Sequence, residues 1–146
     1  MLLLLGIAAG AVTLRLERDD RRIVQREATR FAGAIEQAIA IAQWQGATLG
    51  VSAEGPSYRF WRQDGAAEWH VITEDETLTP HALPDGFDVH AERFAGGAVA
   101  PYSILPLRAT GRNDPYDVAL SSANWTAHIA ADPLNRVRFD VLAREH

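Results

Sequence analysis

The sequence predicts an α+β protein: one long N-terminal α-helix, apolar at its start, followed by a head of antiparallel β-strands that form a β-sheet or a β-sandwich. Residues 1–45 contain an uncharged apolar run and then apolar residues at helical spacing. After Gly46 the apolar residues instead alternate with polar ones along short segments. Gly46 itself suits the position after a helix, because glycine enters the left-handed conformation without a steric penalty. We therefore expect a stem and amphipathic helix in residues 1–46 and a globular β-rich head in residues 47–146.

The apolar run occupies residues 1–16, and its first charged residue is Arg15. A helix of that length rises about 24 Å, whereas the hydrocarbon core of a bilayer is roughly 30 Å thick. A cleaved signal peptide, a buried globular helix and a membrane segment that begins before Met1 are the three interpretations. The run lacks the basic segment that precedes the leucines of a signal peptide, and consecutive leucines at a chain start do not suit a buried globular helix. We therefore favour a truncated transmembrane segment.

The side chains of this stem are expected to pack in a membrane or against other helices. Gly6 and Gly10 have the four-residue spacing of small residues that lets two helices approach closely. The predicted packing residues are Leu2, Leu3, Leu4, Leu5, Gly6, Ile7, Gly10, Val12 and Leu14. The arginines at positions 15, 18, 21 and 22 follow the run, and the positive-inside rule alone would place the head in the cytoplasm. Charges upstream of Met1 would decide the matter, so the orientation stays open here.

The second part of the helix is amphipathic. Between residues 23 and 42 the apolar side chains recur near one stripe, as in a helix that packs on a core. The residues that we expect to join the helix to the head are Ile23, Phe31, Ile35, Ala38 and Ile39.

The head contains eight predicted strands separated by turn residues, with no second helix, which favours antiparallel pairing. They are residues 48–53, 57–62, 68–72, 87–92, 103–107, 116–120, 125–129 and 137–141. The second and third strands read as a hairpin through Asp64 and Gly65, in which Trp69 and Val71 would meet the inward-facing Tyr58 and Phe60. Pro106 places its strand at a sheet edge or a bulge, since proline cannot donate a ladder hydrogen bond.

Two connecting segments and one turn complete the predicted head. Residues 73–79 read as a polar loop, and residues 95–101 read as a flexible loop rich in glycine and alanine. The run from Gly111 to Pro115 is the strongest turn signal in the chain.

Composition excludes several classes of function. The chain of 146 residues has no cysteine, so it has neither a disulfide nor a thiolate metal site. Residues 47–146 carry eight arginines against 14 acidic residues, and nucleic-acid backbones require clustered cations, so no nucleic-acid partner is expected. The one tight basic group of the head contains Arg136, Arg138 and Arg144.

No catalytic, cofactor-binding or metal-binding residue is predicted. The histidines lack the spacing of metal ligands, and they are His70, His81, His90, His128 and His146. Neither a nucleotide-binding fingerprint nor a hydrolase nucleophile motif is present in the sequence. The acidic residues from Glu74 to Glu76 could hold calcium, but a solvated acidic loop is the favoured interpretation.

Several short motifs occur in an order that resembles the H-type minor pseudopilin of the type II secretion system, in the GspH/FimT-like family. They are Arg26-Glu27-Ala28-x-Arg30-Phe31, Tyr58-x-Phe60, Trp69, Leu83-Pro84-Asp85-Gly86-Phe87, and the closing segment from Trp125 through Arg136-Val137. The chain departs from that family near Pro106, where extra residues precede Gly111. It also has Asn135 where a glycine is common, and asparagine tolerates the left-handed conformation better than most residues.

The resemblance implies a pilin-like fold and a non-enzymatic subunit near the tip of a periplasmic pseudopilus, which supports export of folded proteins across the outer membrane. It implies a single-pass protein of the bacterial inner membrane, with its head in the periplasm, and other pseudopilins, major and minor, as partners. The family's prepilin-peptidase site and N-methylated phenylalanine would lie upstream of Met1. No cofactor is implied.

Two other functions remain as alternatives. A type IV pilus minor pilin of the FimT or FimU kind would act in pilus assembly or DNA uptake, and DNA binding would require a basic patch on the head. A membrane-anchored periplasmic hydrolase would require a nucleophile and a base, and the sequence shows no such constellation.

Overall fold

The computed structural model describes residues 2–110 and 112–145, and for residues 2–18 it describes the helical backbone without the side chains. One helix, α1, spans Leu2–Gln45. It ends as predicted: Gly46 has φ +62° and the Ala47 N–H donates to the Ala42 carbonyl at 3.1 Å, the long closing bond of a Schellman motif.

Ten strands follow the helix in the described part of the chain. They are β1 (Leu49–Gly55), β2 (Ser57–Gln63), β3 (Trp69–Val71), β4 (His81–Ala82), β5 (Asp88–Phe94), β6 (Gly97–Ala98), β7 (Leu105–Leu107), β8 (Tyr116–Ser121), β9 (Trp125–Ala131) and β10 (Val137–Ala143). All eight predicted strands are present, and each end lies at the predicted residue or within two residues of it.

The strands form one connected antiparallel sheet in the order β10-β9-β8-β5-β1-β2-β3. The short strands β4, β6 and β7 pair with β2, β5 and β1. The predicted α+β fold is therefore confirmed. The prediction left open whether the head is a β-sheet or a β-sandwich, and the strand pairing forms a single sheet. Helix α1 supplies the second layer, because it packs across β1, β7, β8, β9 and β10 and covers the apolar face of the sheet.

The core lies between α1 and that face of the sheet. The helix contributes Val24, Phe31, Ile35, Ala38 and Ala42 to one continuous cluster of buried residues. The strands contribute Leu49, Val51, Tyr58, Phe60, Val89, Tyr116, Val118, Leu120, Ala127 and Ile129. Residues 24–42 of the helix thus share one core with the head, and the backbone of residues 2–18 continues the same helix before that packed part.

The hairpin of β2 and β3 has a different register from the predicted one. Val71 pairs with Trp61, and Trp69 pairs with Gln63. Directly opposed residues share a face, and neighbours along a strand alternate, so Trp69 and Val71 lie on the sheet face opposite to Tyr58 and Phe60. The prediction that they meet was wrong because turn length, which the sequence pattern does not determine, sets the register.

On that outer face Trp69 packs over the backbone of Gly50. A Cβ atom added to Gly50 would come 2.9 Å from the Trp69 ring, and the Ile104 side chain lies closer still. Gly50 also pairs with Pro106 of β7, a strand that has β1 as its one partner among the described residues, so the predicted edge position of Pro106 is confirmed.

Two predicted loops contain more structure than expected. In the polar loop of residues 73–79, Leu78 is fully buried. In the segment predicted as a flexible loop, β6 pairs with β5 through a turn at Ala95 and Gly96, which have φ values of +53° and +83°. Positive φ at both central positions is the geometry of a tight hairpin turn, and alanine gives little sequence signal for it.

Candidate assembly site at the helix and its junction with the head

The residues predicted to join the helix to the head lie at its inner face. Phe31, Ile35 and Ala38 are fully buried, and Ile39 is 7% exposed. Ile23, about two turns before Phe31, is partly buried against the same core. The predicted stem-packing side chains lie outside the described residues, and they are Leu2, Leu3, Leu4, Leu5, Gly6, Ile7, Gly10, Val12 and Leu14. Gly111 and His146 lie outside them as well.

Phe31 is the aromatic anchor of the junction. Its ring centroid lies 4.4 Å from that of Tyr58 and 6.4 Å from that of Phe60, both on β2. The Tyr58 and Phe60 rings meet edge to face, with centroids 6.1 Å apart and an interplanar angle of 88°. Because aromatic pairs at such distances add to the energy of apolar burial, this cluster fixes the helix on β2.

A buried polar contact adjoins the aromatic cluster. The His81 Nε2 atom on β4 lies 2.8 Å from the Glu27 Oε2 atom on the helix, and Glu27 is only 7% exposed. The His81 ring centroid is 5.2 Å from that of Tyr58. Sequence reasoning missed this pair. The signal in the sequence was Glu27, an acidic residue on the apolar stripe between Val24 and Phe31. A carboxylate at a core position requires a hydrogen-bond or charged partner.

Two buried tyrosines are held in their neutral form. Burial raises the pKa of Tyr58 to about 12, against the opposing effect of the nearby Arg30 guanidinium. Burial also raises the pKa of Tyr116, whose hydroxyl has no hydrogen-bond partner among the described residues. Both rings therefore serve packing and are unsuited to proton transfer near neutral pH.

Nearer the stem, a second contact joins the helix to β9. The Arg21 guanidinium carbon lies 5.0 Å from the centroid of the Trp125 ring, which is a cation–π geometry. This contact occupies one of the arginines that follow the apolar run, and it holds the start of β9 against the helix.

The opposite face of the helix is open to solvent. Arg22 and Arg26 are exposed four residues apart, and neither forms an ion pair with a described residue. At the end of the helix Trp44 is 90% exposed. Within the helical residues whose side chains are described, no segment is long and apolar enough to cross a membrane.

The acidic loop at Glu74 is held by contacts within the protein. The Glu74 carboxylate pairs with Arg62 at 2.7 Å, and the Asp75 carboxylate accepts the backbone N–H groups of Thr77 and Leu78. Hydrogen bonds from backbone N–H groups and from Arg62 lower the pKa of Glu74. The carboxylate oxygens of Glu74 and Asp75 are already bound to groups within the protein, so the loop geometry gives no support to calcium binding.

The structure brings histidines and carboxylates together where sequence spacing gave no indication. His70 lies 2.8 Å from Asp64, beside Glu68, in the β2–β3 turn. On the outer face of the sheet, His90 and His128 both approach Glu92. Among the described residues no hydrogen bond joins a serine or threonine hydroxyl to a histidine.

The predicted basic group of the head is partly neutralised. Arg136 pairs with Asp132 at 2.8 Å, and Arg144 donates to the Ser122 carbonyl. Arg138 is the member of the group that stays exposed on β10 without an ion pair to a described residue.

The fold is similar to those of solved pilin-like subunits. The minor pseudopilin EpsH of the Vibrio cholerae type II secretion system aligns with a TM-score of 0.67 and 16% identity, over 82% of this chain and 94% of that one. Escherichia coli GspH aligns with a TM-score of 0.62 and 18% identity, over 83% of this chain and 89% of that one. The type IV minor pilin FimU of Pseudomonas aeruginosa aligns with a TM-score of 0.60 and 12% identity, over 86% and 95%. No protein-family model matches the chain, and no curated protein matches it by sequence.

Proposed function

We propose that this chain, which has the fold of minor pseudopilins and minor pilins, is a non-enzymatic structural subunit of a type II secretion pseudopilus. In this role it lies near the filament tip and supports the export of folded proteins across the outer membrane. One observation carries the proposal: a single helix of 44 residues has its second half built into the core of the head, while its backbone continues through residues 2–18 before the packed part.

Such a subunit consists of a helical stem and a head that is packed rigidly on the second half of the same helix. The helix is about 66 Å long, and its segment from Val24 to Ala42 is fixed on the sheet. Movement of the stem therefore moves the head with it. The apolar stem exchanges lipid for neighbouring stems at little hydrophobic cost, because both surroundings are apolar.

In this proposal the protein is anchored in the bacterial inner membrane by one pass before assembly, with its head in the periplasm. Its partners are the major and minor pseudopilins of the same filament, and prepilin peptidase acts on residues upstream of Met1. The exposed Arg22 and Arg26 are suited to carboxylates of adjacent subunits, because neither has an ion pair within the described part of this chain.

Site-specific photocrosslinking in the native host tests the assembly directly. A photoreactive residue at Val12 should crosslink to other pseudopilins, whereas the same residue at Asp85, in an exposed turn of the head, should not crosslink to their stems. Deletion of the gene should stop export of a folded type II substrate. Normal export by the deletion strain, or no crosslink from Val12, contradicts the proposal.

The similarity to FimU supports a second candidate, a minor pilin of a type IV pilus. In that case deletion should abolish surface pili while protein export continues. A DNA-binding version of this candidate predicts that the purified protein retards DNA in a gel in a salt-sensitive way. The acidic head and the internal partners of Arg136 and Arg144 argue against that version.

A further inference from the structure

We propose that Asp64, Glu68 and His70, at the tip of the hairpin of β2 and β3, form a binding site for a transition-metal ion of the zinc class. Each of the three side chains offers one ligand atom, and these atoms lie within 4.8 Å of one another. No other group of three histidine or acidic side chains in the described part of the chain converges in this way. The inference is independent of the proposed function, because these side chains take no part in the junction between helix and head.

The strand register puts the three side chains on one face of the hairpin. His70 pairs with Arg62, and the Asp64 N–H donates to the Glu68 carbonyl at 2.9 Å, which continues the same register to Asp64 and Glu68. Directly opposed residues point to the same face of a sheet, and so do residues two positions apart on one strand. All three side chains therefore leave the hairpin on the face of Arg62.

The same register places two carboxylates directly opposite each other. Like charges in that position destabilise a strand pair. The Glu68 carboxylate has no hydrogen bond or ion pair to any residue that the structure describes. A divalent cation between Asp64 and Glu68 replaces this repulsion by attraction to a shared charge, and it gives the Glu68 carboxylate a partner.

Asp64 is held in position as a ligand. Its Oδ1 atom accepts the backbone N–H groups of Ala66 and Glu68 at 2.8 and 2.9 Å, so the carboxylate is fixed in the turn. Its Oδ2 atom lies 2.8 Å from the His70 Nε2 atom. Hydrogen bonds to a ligating carboxylate orient it toward the metal, and here they leave Oδ2 as the oxygen that faces the imidazole.

The separations of the donor atoms suit one common ion. Ligand atoms that lie about 2.1 Å from a tetrahedral zinc ion are about 3.4 Å from one another. Here Asp64 Oδ2 and His70 Nε2 are 2.8 Å apart, and no two of the three donors are more than 4.8 Å apart. Glu68 and His70 are exposed, so rotation of their side chains adjusts these distances without disturbing the core. The ion takes the place of the proton between Oδ2 and Nε2, and the neutral imidazole keeps its proton on Nδ1.

The donor set decides which ions fit. One imidazole and two carboxylates suit zinc and the neighbouring first-row metals, whereas calcium and magnesium prefer oxygen ligands alone. The guanidinium of Arg62, on the same face, is held elsewhere: its Nη1 atom pairs with Glu74 at 2.7 Å and its Nη2 atom donates to Gln45 at 3.3 Å. Three protein ligands leave at least one position for water or for a donor from a neighbouring molecule.

The other described histidines do not have this setting. His81 is bound to buried Glu27 at 2.8 Å. His90 and His128 approach Glu92 at 3.6 and 3.8 Å, but the three side chains do not form a convergent group. His90 is therefore the matched control, because it is an exposed histidine near a carboxylate that lacks the converging third donor.

Titration of the purified full chain, without a polyhistidine tag, with zinc sulfate in detergent tests the site. The wild type should bind one zinc ion per chain in a saturable way. Asp64→Asn, Glu68→Gln and His70→Gln should each weaken zinc binding by roughly tenfold or more. Asn retains an oxygen that accepts the backbone N–H groups of the turn, so weaker binding by Asp64→Asn reports the lost charge rather than a lost turn. His90→Gln should bind zinc like the wild type.

A second measurement does not depend on variants that could misfold. In NMR spectra of the wild type, zinc should shift the imidazole signals of His70 and leave those of His81, His90 and His128 in place. Excess calcium chloride should not displace the zinc. Zinc uptake should also weaken in acid, because an imidazole ligand must be deprotonated.

Four outcomes overturn the proposal: no saturable zinc binding, undiminished binding by the double variant Glu68→Gln/His70→Gln, loss of binding in His90→Gln, or displacement of zinc by calcium. None of these outcomes bears on the proposed function, which is tested by crosslinking and by export in the native host.

Discussion

The Glu27 carboxylate and the His81 imidazole, 54 positions apart in the chain, meet at 2.8 Å beneath the surface of the protein. This contact attaches the two-residue strand β4 to the helix, and through β4 it also attaches Ser57 and Tyr58 of β2. The helix is therefore fixed to the head by a polar contact as well as by the aromatic cluster around Phe31.

Replacing His81 by alanine should destabilise the protein by about 2–3 kcal/mol. Removal of the imidazole leaves the nearly buried Glu27 carboxyl without its hydrogen-bond partner, and an unsatisfied buried polar group costs about 1–3 kcal/mol, or more when it is charged. Urea unfolding of the single variants and of Glu27→Ala/His81→Ala would give the coupling energy. The exposed pair of His70 and Asp64 has the same 2.8 Å contact and is the control, for which His70→Ala should change the melting temperature little. Additive effects of Glu27→Ala and His81→Ala would contradict the role of this pair.

Phe31→Ala should cost about 3–5 kcal/mol of stability, because it removes a fully buried ring that contacts Tyr58 and Phe60. Gln37→Ala, on the exposed face of the same helix, should have little effect. Chemical denaturation measures both variants. An unchanged melting temperature for Phe31→Ala would show that the helix does not depend on this ring to hold the head.

Two glycine substitutions should have opposite effects. Gly50→Ala places a Cβ atom against the Trp69 ring and the Ile104 side chain, and it should destabilise the protein by about 1–3 kcal/mol. Gly33→Ala lies in the interior of the helix with nothing within 4 Å of the new Cβ, and it should stabilise by up to about 1 kcal/mol. Thermal unfolding would compare them. Equal shifts in one direction would contradict the close packing over Gly50.

Sequence patterns predicted the parts of this fold that depend on local chemistry. Apolar periodicity gave the helix and all eight longer strands, and left-handed positions were predicted at Gly46 and at Asn135, which has φ +63°. The patterns failed where contacts between residues far apart in the chain determine the structure. The register of β3 moved Trp69 and Val71 to the outer face, and the two-residue strands β4 and β6 were too short to leave a pattern.

In the candidate site, too, the sequence predicted the features that depend on local patterns and missed those that depend on contacts between distant residues. Phe31, Ile35 and Ala38 stood out because apolar side chains at helical spacing mark a buried face. The Glu27–His81 pair, and the approach of His128 to Glu92, depend on pairing between distant parts of the chain, which no local pattern encodes. The spacing of the histidines along the chain therefore gave no indication of the histidine–carboxylate contacts that strand pairing creates.

The stability of the protein should depend on pH through Asp132, which lies in the turn between β9 and β10. Its Oδ1 atom accepts the backbone N–H groups of Leu134 and Arg136 at 2.9 Å, and its Oδ2 atom accepts the Arg136 Nε–H at 2.8 Å. These hydrogen bonds, that from the Arg136 backbone first, lower the pKa of Asp132 in the folded protein. A carboxyl whose pKa is lower in the folded state binds fewer protons there than in the unfolded state. Its stabilising effect is therefore present above the unfolded pKa, which is about 3.9, and is lost as the pH falls through the folded pKa.

Asp132→Asn should accordingly lower the melting temperature near pH 7 and have a smaller effect in acid, below the folded pKa, where the wild-type carboxyl becomes protonated. Asp85→Asn, in an exposed turn of the head, is the matched control and should leave the pH dependence of the melting temperature as in the wild type. Melting curves by circular dichroism between pH 2 and pH 7 would measure the difference. If Asp132→Asn lowers the melting temperature by the same amount at every pH, the charged carboxylate is not what holds this turn, and its shape depends instead on Asn135 in the left-handed conformation.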